Sequence, residues 1–159
     1  MSLYRRFDPE GLPCFVTTNT RERRGIFNVA GTCELLVRTV YAVRAEATFH
    51  LLSFAIMPDH VHLIVVPSTS EGLGRVMQLI KGRFSRAYNT TAGRTGAVWQ
   101  SRYQERTLRS EAALFRAIEY VHNNPVAARL ATVPENYGWS TASGKFVTDL
   151  QEYLGQAEA

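Results

Sequence analysis

Apolar and polar positions along this chain switch repeatedly between a period of two and a period near 3.6, which is the mark of alternating strands and helices. Residues 14–19 (CFVTTN) are apolar and β-prone and predict a first strand; a turn-like, basic stretch from Thr20 to Gly25 follows. From Ala30 to Ala47, Leu35, Leu36, Val37, Val40, Tyr41 and Val43 recur at helical spacing and predict a long helix. Phe49 to Met57 and His60 to Val66 predict two further strands, and the Pro58-Asp59 turn signal between them predicts a hairpin. Pro67 to Gly72 reads as a loop. Leu73 to Tyr88 carries Leu73, Val76, Met77, Ile80 and Phe84 with Lys81, Arg83 and Arg86 interleaved, which predicts a second amphipathic helix with a basic face. Asn89 to Gly96 reads as a polar loop and Gln104 to Leu108 as a strand. Ser110, with Glu111 behind it, is a good N-cap for a third helix through Leu114, Phe115, Ile118 and Val121. That helix is expected to end near Asn123-Asn124-Pro125, because proline disfavours helical geometry in the residue before it. Beyond it the expectation is coil with short helical pieces and a fraying end.

The order strand, helix, strand, strand, helix, strand, helix defines an α+β fold. Its first six elements match a ferredoxin-like βαββαβ core, a central antiparallel sheet with two helices on one face, followed by a C-terminal helix that carries Tyr120. The 159 residues suit one domain, expected over 1–145, with 146–159 as a C-terminal tail.

Composition narrows the classes. Hydrophobic residues make up 45% and charged residues 20%, an ordinary globular balance rather than a disordered one. Cys14 and Cys33 are far apart and outside any CxxC pair, which argues against a disulfide framework or a zinc ribbon. The first residues hold no apolar signal core and the apolar runs are short, so no membrane role is expected and the cytoplasm is the default location. Lys and Arg outnumber Asp and Glu by 18 to 14, an excess that permits nucleic-acid binding without requiring it.

Two features carry candidate chemistry. In His60-Val61-His62 on a strand, both imidazoles project to the same side and can ligate one divalent cation, leaving positions open for catalysis; the alternative is two hydrogen-bonded histidines with no metal. Tyr120 lies off the Leu114–Ile118–Val121 stripe, and Asn124 follows it by one helical turn, so both can face one ion; the alternative is an amphipathic surface tyrosine. His122 points elsewhere and is not assigned as a base. Asp59 is read as turn chemistry facing away from the histidines.

The stretch Ala55 to Val65 (AIMPDHVHLIV) closely resembles the signature of HUH single-tyrosine transposases. So do Ile118 to Val126 (IEYVHNNPV), Tyr137-Gly138-Trp139-Ser140, Val98 to Tyr103 and the opening Tyr4-Arg5-Arg6. The similarity spans roughly residues 4 to 140 and is strongest to the REP-associated tyrosine transposases. It implies a DNA transposase that cleaves single-stranded DNA and transfers the strand through a 5′-phosphotyrosine intermediate. Tyr120 would be the nucleophile, His60 and His62 catalytic metal ligands, Asn124 the third ligand, and Mg²⁺ or Mn²⁺ the cofactor. The implied substrate is single-stranded DNA with hairpins. Arg21, Arg23, Arg24, Lys81, Arg83, Arg86, Arg102 and Arg106, with Arg109, are the phosphate-binding candidates. Trp99 and Tyr103 are candidates for stacking on bases, with core packing the better place for Trp99. The assembly would be a homodimer with the tyrosine helix exchanged, or a monomer.

Two other readings compete. A non-catalytic nucleic-acid-binding module of the same fold would bind DNA without forming a covalent adduct. A metal-dependent hydrolase using water would tolerate loss of Tyr120 but not of His60.

Overall fold

The computed structural model describes residues 11–47, 49–68 and 72–158. The Tyr4-Arg5-Arg6 stretch and positions 69–71 of the expected 67–72 loop lie outside the described residues. Strands β1 (Cys14–Asn19), β2 (His50–Met57), β3 (His60–Val66) and β4 (Gln104–Thr107) form one sheet in the order β2-β3-β1-β4, and every neighbouring pair is antiparallel. Helix α1 (Ala30–Ala47) joins β1 to β2 and α2 (Gly72–Ala92) joins β3 to β4. This is the ferredoxin-like arrangement of two interleaved βαβ units. Met57 pairs with His60 across Pro58-Asp59, so the hairpin loop has the shortest common length.

Alternation along the strands gives the sheet two faces. One carries Val16, Phe54, Ile56, Val61, Leu63 and Val65, buried beneath α1 and α2 through Leu36, Val40, Val43, Val76, Met77, Ile80 and Phe84. The other carries Leu52, Ala55, Ile64 and Val66, which pack against Leu114, Ala117, Ile118 and Val121 of α3 (Glu111–Ala127) and Tyr153 of α4 (Leu150–Glu158). Ser110 caps α3 as expected, its side chain accepting from the Ala113 amide.

Some boundaries differ from the sequence reading. Helix α2 continues through residues 89–92, and the loop starts only at Gly93, whose φ of 63° closes the helix with a bond from Arg94 N–H to the Asn89 carbonyl. Helix α3 does not stop before Pro125 but runs through it to Ala127, with the Pro125 ring buried. The turn beyond is closed by Ala128 N–H on Asn124 O and Leu130 N–H on Pro125 O, so Asn124 stays helical.

The C-terminal stretch packs on the core rather than trailing as a fraying tail. Trp139 and Ser140 run beside β2, where Ile56 N–H donates to Trp139 O and the Tyr137 hydroxyl donates to Ile56 O, which covers a sheet edge. Asp149 is buried, takes both Arg44 nitrogens and the Leu51 amide, and leads into α4, whose Tyr153 is 1% exposed. Among the described residues, no helix is long and apolar enough to cross a membrane.

Candidate active site

His60 and His62 stand on an inner strand, on the face opposite α1 and α2, with ring centroids 4.8 Å apart. Register decides their neighbours. Thr17 of β1 lies directly across from His62, and its hydroxyl is 2.9 Å from His62 Nδ1. Phe15, two residues earlier on the same face, stacks on the His62 ring at 5.5 Å and 17°. His60 Nδ1 donates to Asp59 Oδ1 at 2.7 Å. The expectation that Asp59 faces away is therefore corrected: the tight turn folds its carboxylate back onto the adjacent ring.

Helix α3 brings Tyr120 to the same place. Its ring meets His62 edge-on at 5.7 Å and Phe15 at 5.9 Å, all within one chain. Tyr120 is nonetheless 55% exposed, so a strand lying over this face can reach the phenol. An open groove of about 740 Å³ is lined by Tyr120 together with Arg116, Glu119, Asn123 and Glu135. Asn124, one turn after Tyr120, faces His62 closely enough that its hydrogen bonding favours the protonated ring.

The donor set suits a divalent cation. Burial pushes the His62 imidazole down to about 4; the His60 charge and Arg23 push the same way, and Asn124 works against them. At neutral pH the ring is therefore uncharged and its lone pair is available. With Nδ1 engaged by Thr17, the orphaned atom is Nε2, which is buried and lacks a well-formed hydrogen-bond partner. A buried orphan of this kind calls for a partner, and a cation shared with His60 Nε2 and the Asn124 amide oxygen is one these surroundings can hold. His60, pinned at Nδ1, likewise keeps Nε2 for a ligand. A second grouping, His50, Asp149 and Glu152, also lies within 4.8 Å. There Asp149 is already committed to Arg44 and the Leu51 amide, so that grouping is a structural clasp.

The basic candidates do not all converge here. Lys81, Arg83 and Arg86 ride on α2, across the sheet from the imidazoles. Lys81 donates to the Gln100 carbonyl and sits 5.5 Å over the Tyr103 ring, while Arg83 pairs with Glu46. Arg24 pairs with Glu22, and Arg23 with Asp59 and Asn19. Arg106 lies over the Phe15 ring at 5.6 Å, on the imidazole face. Arg21, Arg102 and Arg109 are exposed. Trp99 is a core residue, packed between Phe27 and Phe84 with its indole N–H on Lys81 O, and Tyr103 lies partly buried against the same core.

The sequence reading did not place Thr17 and Phe15, which hold the His62 ring, in the site, and it turned Asp59, which holds His60, away from it. Only Asp59 left a local signal, its adjacency to His60. His122 does point elsewhere: its Nε2 meets Ser53 Oγ at 3.1 Å and Thr141 Oγ1 at 2.8 Å, which fastens α3 to β2.

No curated protein sequence matches the chain significantly. Among solved structures, a REP-associated tyrosine transposase bound to a REP hairpin superposes with a TM-score of 0.74 at 24% identity, covering 92% of this chain and 89% of that one. A candidate transposase from Deinococcus radiodurans R1 superposes with a TM-score of 0.54 at 19% identity, covering 70% of this chain and 89% of that one. At these identities the likeness establishes the shared fold. The family model for IS200-like transposases matches residues 14–124, a span that runs from the first strand through His60, His62 and Tyr120 to Asn124, and the chain belongs to that family.

Proposed function

We propose that this transposase cuts and rejoins single-stranded DNA through a covalent bond between Tyr120 and a 5′ phosphate, acting on hairpin-bearing ends. The observation that carries the reading is the edge-on approach of Tyr120 to His62 at 5.7 Å within one chain, with Asn124 on the same helix face. It favours action in cis by a single copy. The exposed phenol oxygen attacks phosphorus; the Oη–P bond forms, the P–O3′ bond breaks, and the phenol proton passes to the departing 3′ oxygen. The products are a 5′-phosphotyrosine and a free 3′-hydroxyl. Attack of a 3′-hydroxyl on that link reverses the exchange and restores the phenol, so no nucleotide cofactor enters the balance. Mg²⁺ or Mn²⁺ held by His60, His62 and Asn124 would supply polarisation of the scissile phosphate. Thr17 and Phe15 fix the His62 ring in its plane, and the fold around α3 keeps Tyr120 beside it. The hairpin in the similar REP-associated structure supports the substrate class. Arg106, exposed and lying over Phe15 on the imidazole face, is the best placed of the predicted basic residues to meet a phosphate.

Incubating the protein with a hairpin-bearing single strand and Mn²⁺ should give a slow-migrating protein–DNA species on denaturing electrophoresis, and EDTA should remove it. Salt-sensitive binding with no such species across a panel of hairpins would instead mark a binding module.

A further inference from the structure

Arg23 was expected among the DNA-phosphate contacts, but its half-exposed guanidinium is engaged by partners within the chain. Its Nε donates to Asp59 Oδ2 at 3.0 Å and its Nη1 to Asn19 Oδ1 at 2.6 Å. The other carboxylate oxygen, Asp59 Oδ1, accepts from His60 Nδ1 at 2.7 Å. Asn19 is the residue paired with His60 across the β1–β3 ladder. Asn19, Arg23, Asp59 and His60 thus close a ring of contacts around one imidazole.

The backbone is shaped to deliver this contact. Glu22 and Arg23 sit at φ of 57° and 53°, a region that residues with side chains rarely occupy, at a cost of roughly 1 kcal/mol or more each. The turn is tied to the hairpin loop in several places. Thr20 N–H donates to the Asp59 carbonyl at 3.0 Å, its hydroxyl lies between the carbonyls of Arg24 at 2.8 Å and Asp59 at 3.0 Å, and Phe27 N–H donates to Pro58 O at 3.1 Å. Arg21 N–H on Val98 O anchors the other side. A half-exposed Arg–Asp pair contributes little to stability, about 0–1 kcal/mol, so stability gives no reason to hold two strained residues for it. Orientation of a ring is a better one. A carboxylate behind a histidine fixes which nitrogen carries the proton and leaves the other free for a ligand.

We propose that Arg23 is a positioning residue for His60: through Asp59 it holds the imidazole with Nδ1–H turned away and Nε2 turned toward the cation, and it is not a DNA contact. The proposal rests on His60 being a metal ligand, as in the reading above. Arginine suits the task because its planar fork spans two acceptors in fixed geometry, whereas a lysine ammonium is a flexible point charge.

Nitrogen-15 NMR of the metal-free protein, with labelled histidine, reads the His60 tautomer directly. Mn²⁺ titration without DNA and single-strand binding in EDTA at several salt concentrations complete the test. In wild type His60 should carry its proton on Nδ1. Asp59→Ala should lose that preference and bind Mn²⁺ about 10–100-fold more weakly, and Arg23→Gln should follow in the same direction by about tenfold. Arg23→Lys, which keeps the charge and guards against a folding failure in the first variant, should also weaken Mn²⁺ binding while leaving DNA affinity unchanged. An unaltered tautomer and Mn²⁺ affinity in both Arg23 variants would overturn the proposal. A loss of about one phosphate contact from the salt dependence of Arg23→Gln would do the same. His62→Ala separates this from failure of the metal reading: unchanged Mn²⁺ binding in that variant removes the metal site, while the tautomer readout still decides the role of Arg23.

Discussion

Tyr120→Phe should abolish the covalent protein–DNA species, lowering strand cleavage by at least ~10³-fold, because nothing replaces the nucleophilic oxygen. The fold should hardly register the change. Tyr120 is 55% exposed, and phenylalanine keeps the ring edge that meets His62 and Phe15, so stability should stay within about 0.5 kcal/mol of wild type. Single-strand binding in EDTA should also persist. That combination, with chemistry lost while fold and binding are kept, distinguishes a nucleophile from a packing residue. A hydrolase using water would retain most of its cleavage in the same variant, read on the same denaturing gel.

Asp149→Ala should produce the largest loss of stability. Asp149 is buried and accepts from both Arg44 nitrogens and from the Leu51 amide at 2.8 Å. Removing it leaves a guanidinium and a buried amide without their partner. Arg44 is only partly shielded, so solvent recovers some of the loss. The expected cost is about 2–4 kcal/mol, which for a chain of this size lowers Tm by roughly 5–15 °C in calorimetry. The consequence reaches the site. Tyr153 enters the same apolar cluster as Leu114, Ile118 and Val121 of α3, so loosening the C-terminal clasp loosens the support of the tyrosine helix. Cleavage by Asp149→Ala should fall more steeply with temperature than that of wild type.

What could be read in advance was local in sequence. The period-two run HVHLIVV places both imidazoles on one face whatever else the chain does, and the four-residue step from Tyr120 to Asn124 does the same on a helix. The order of elements then leaves few ways to build the sheet. The rest depends on contacts between distant positions. Thr17 meets His62 across 45 residues, through a register that no single strand specifies. Arg44 and Asp149 are 105 residues apart, which is why 146–159 read as a tail. Arg83 and Arg23 carry the same charge on paper as any phosphate-binding arginine; only their carboxylate partners Glu46 and Asp59, each some distance along the chain, show that the charge is already used. Pro125 signals a helix end because it disfavours helical geometry at Asn124, yet burial of its ring in the α3 packing outweighs that local penalty.

In the proposed function, His60, His62, Asn124 and Tyr120 of a single chain surround one cation. Anomalous diffraction from crystals grown with Mn²⁺ tests it most directly. The expected result is one strong peak about 2.0–2.5 Å from Nε2 of both histidines, with Tyr120 of that same chain facing it. A peak at His50, Asp149 and Glu152 instead, or a Tyr120 turned away from the ion in every copy, would contradict the account.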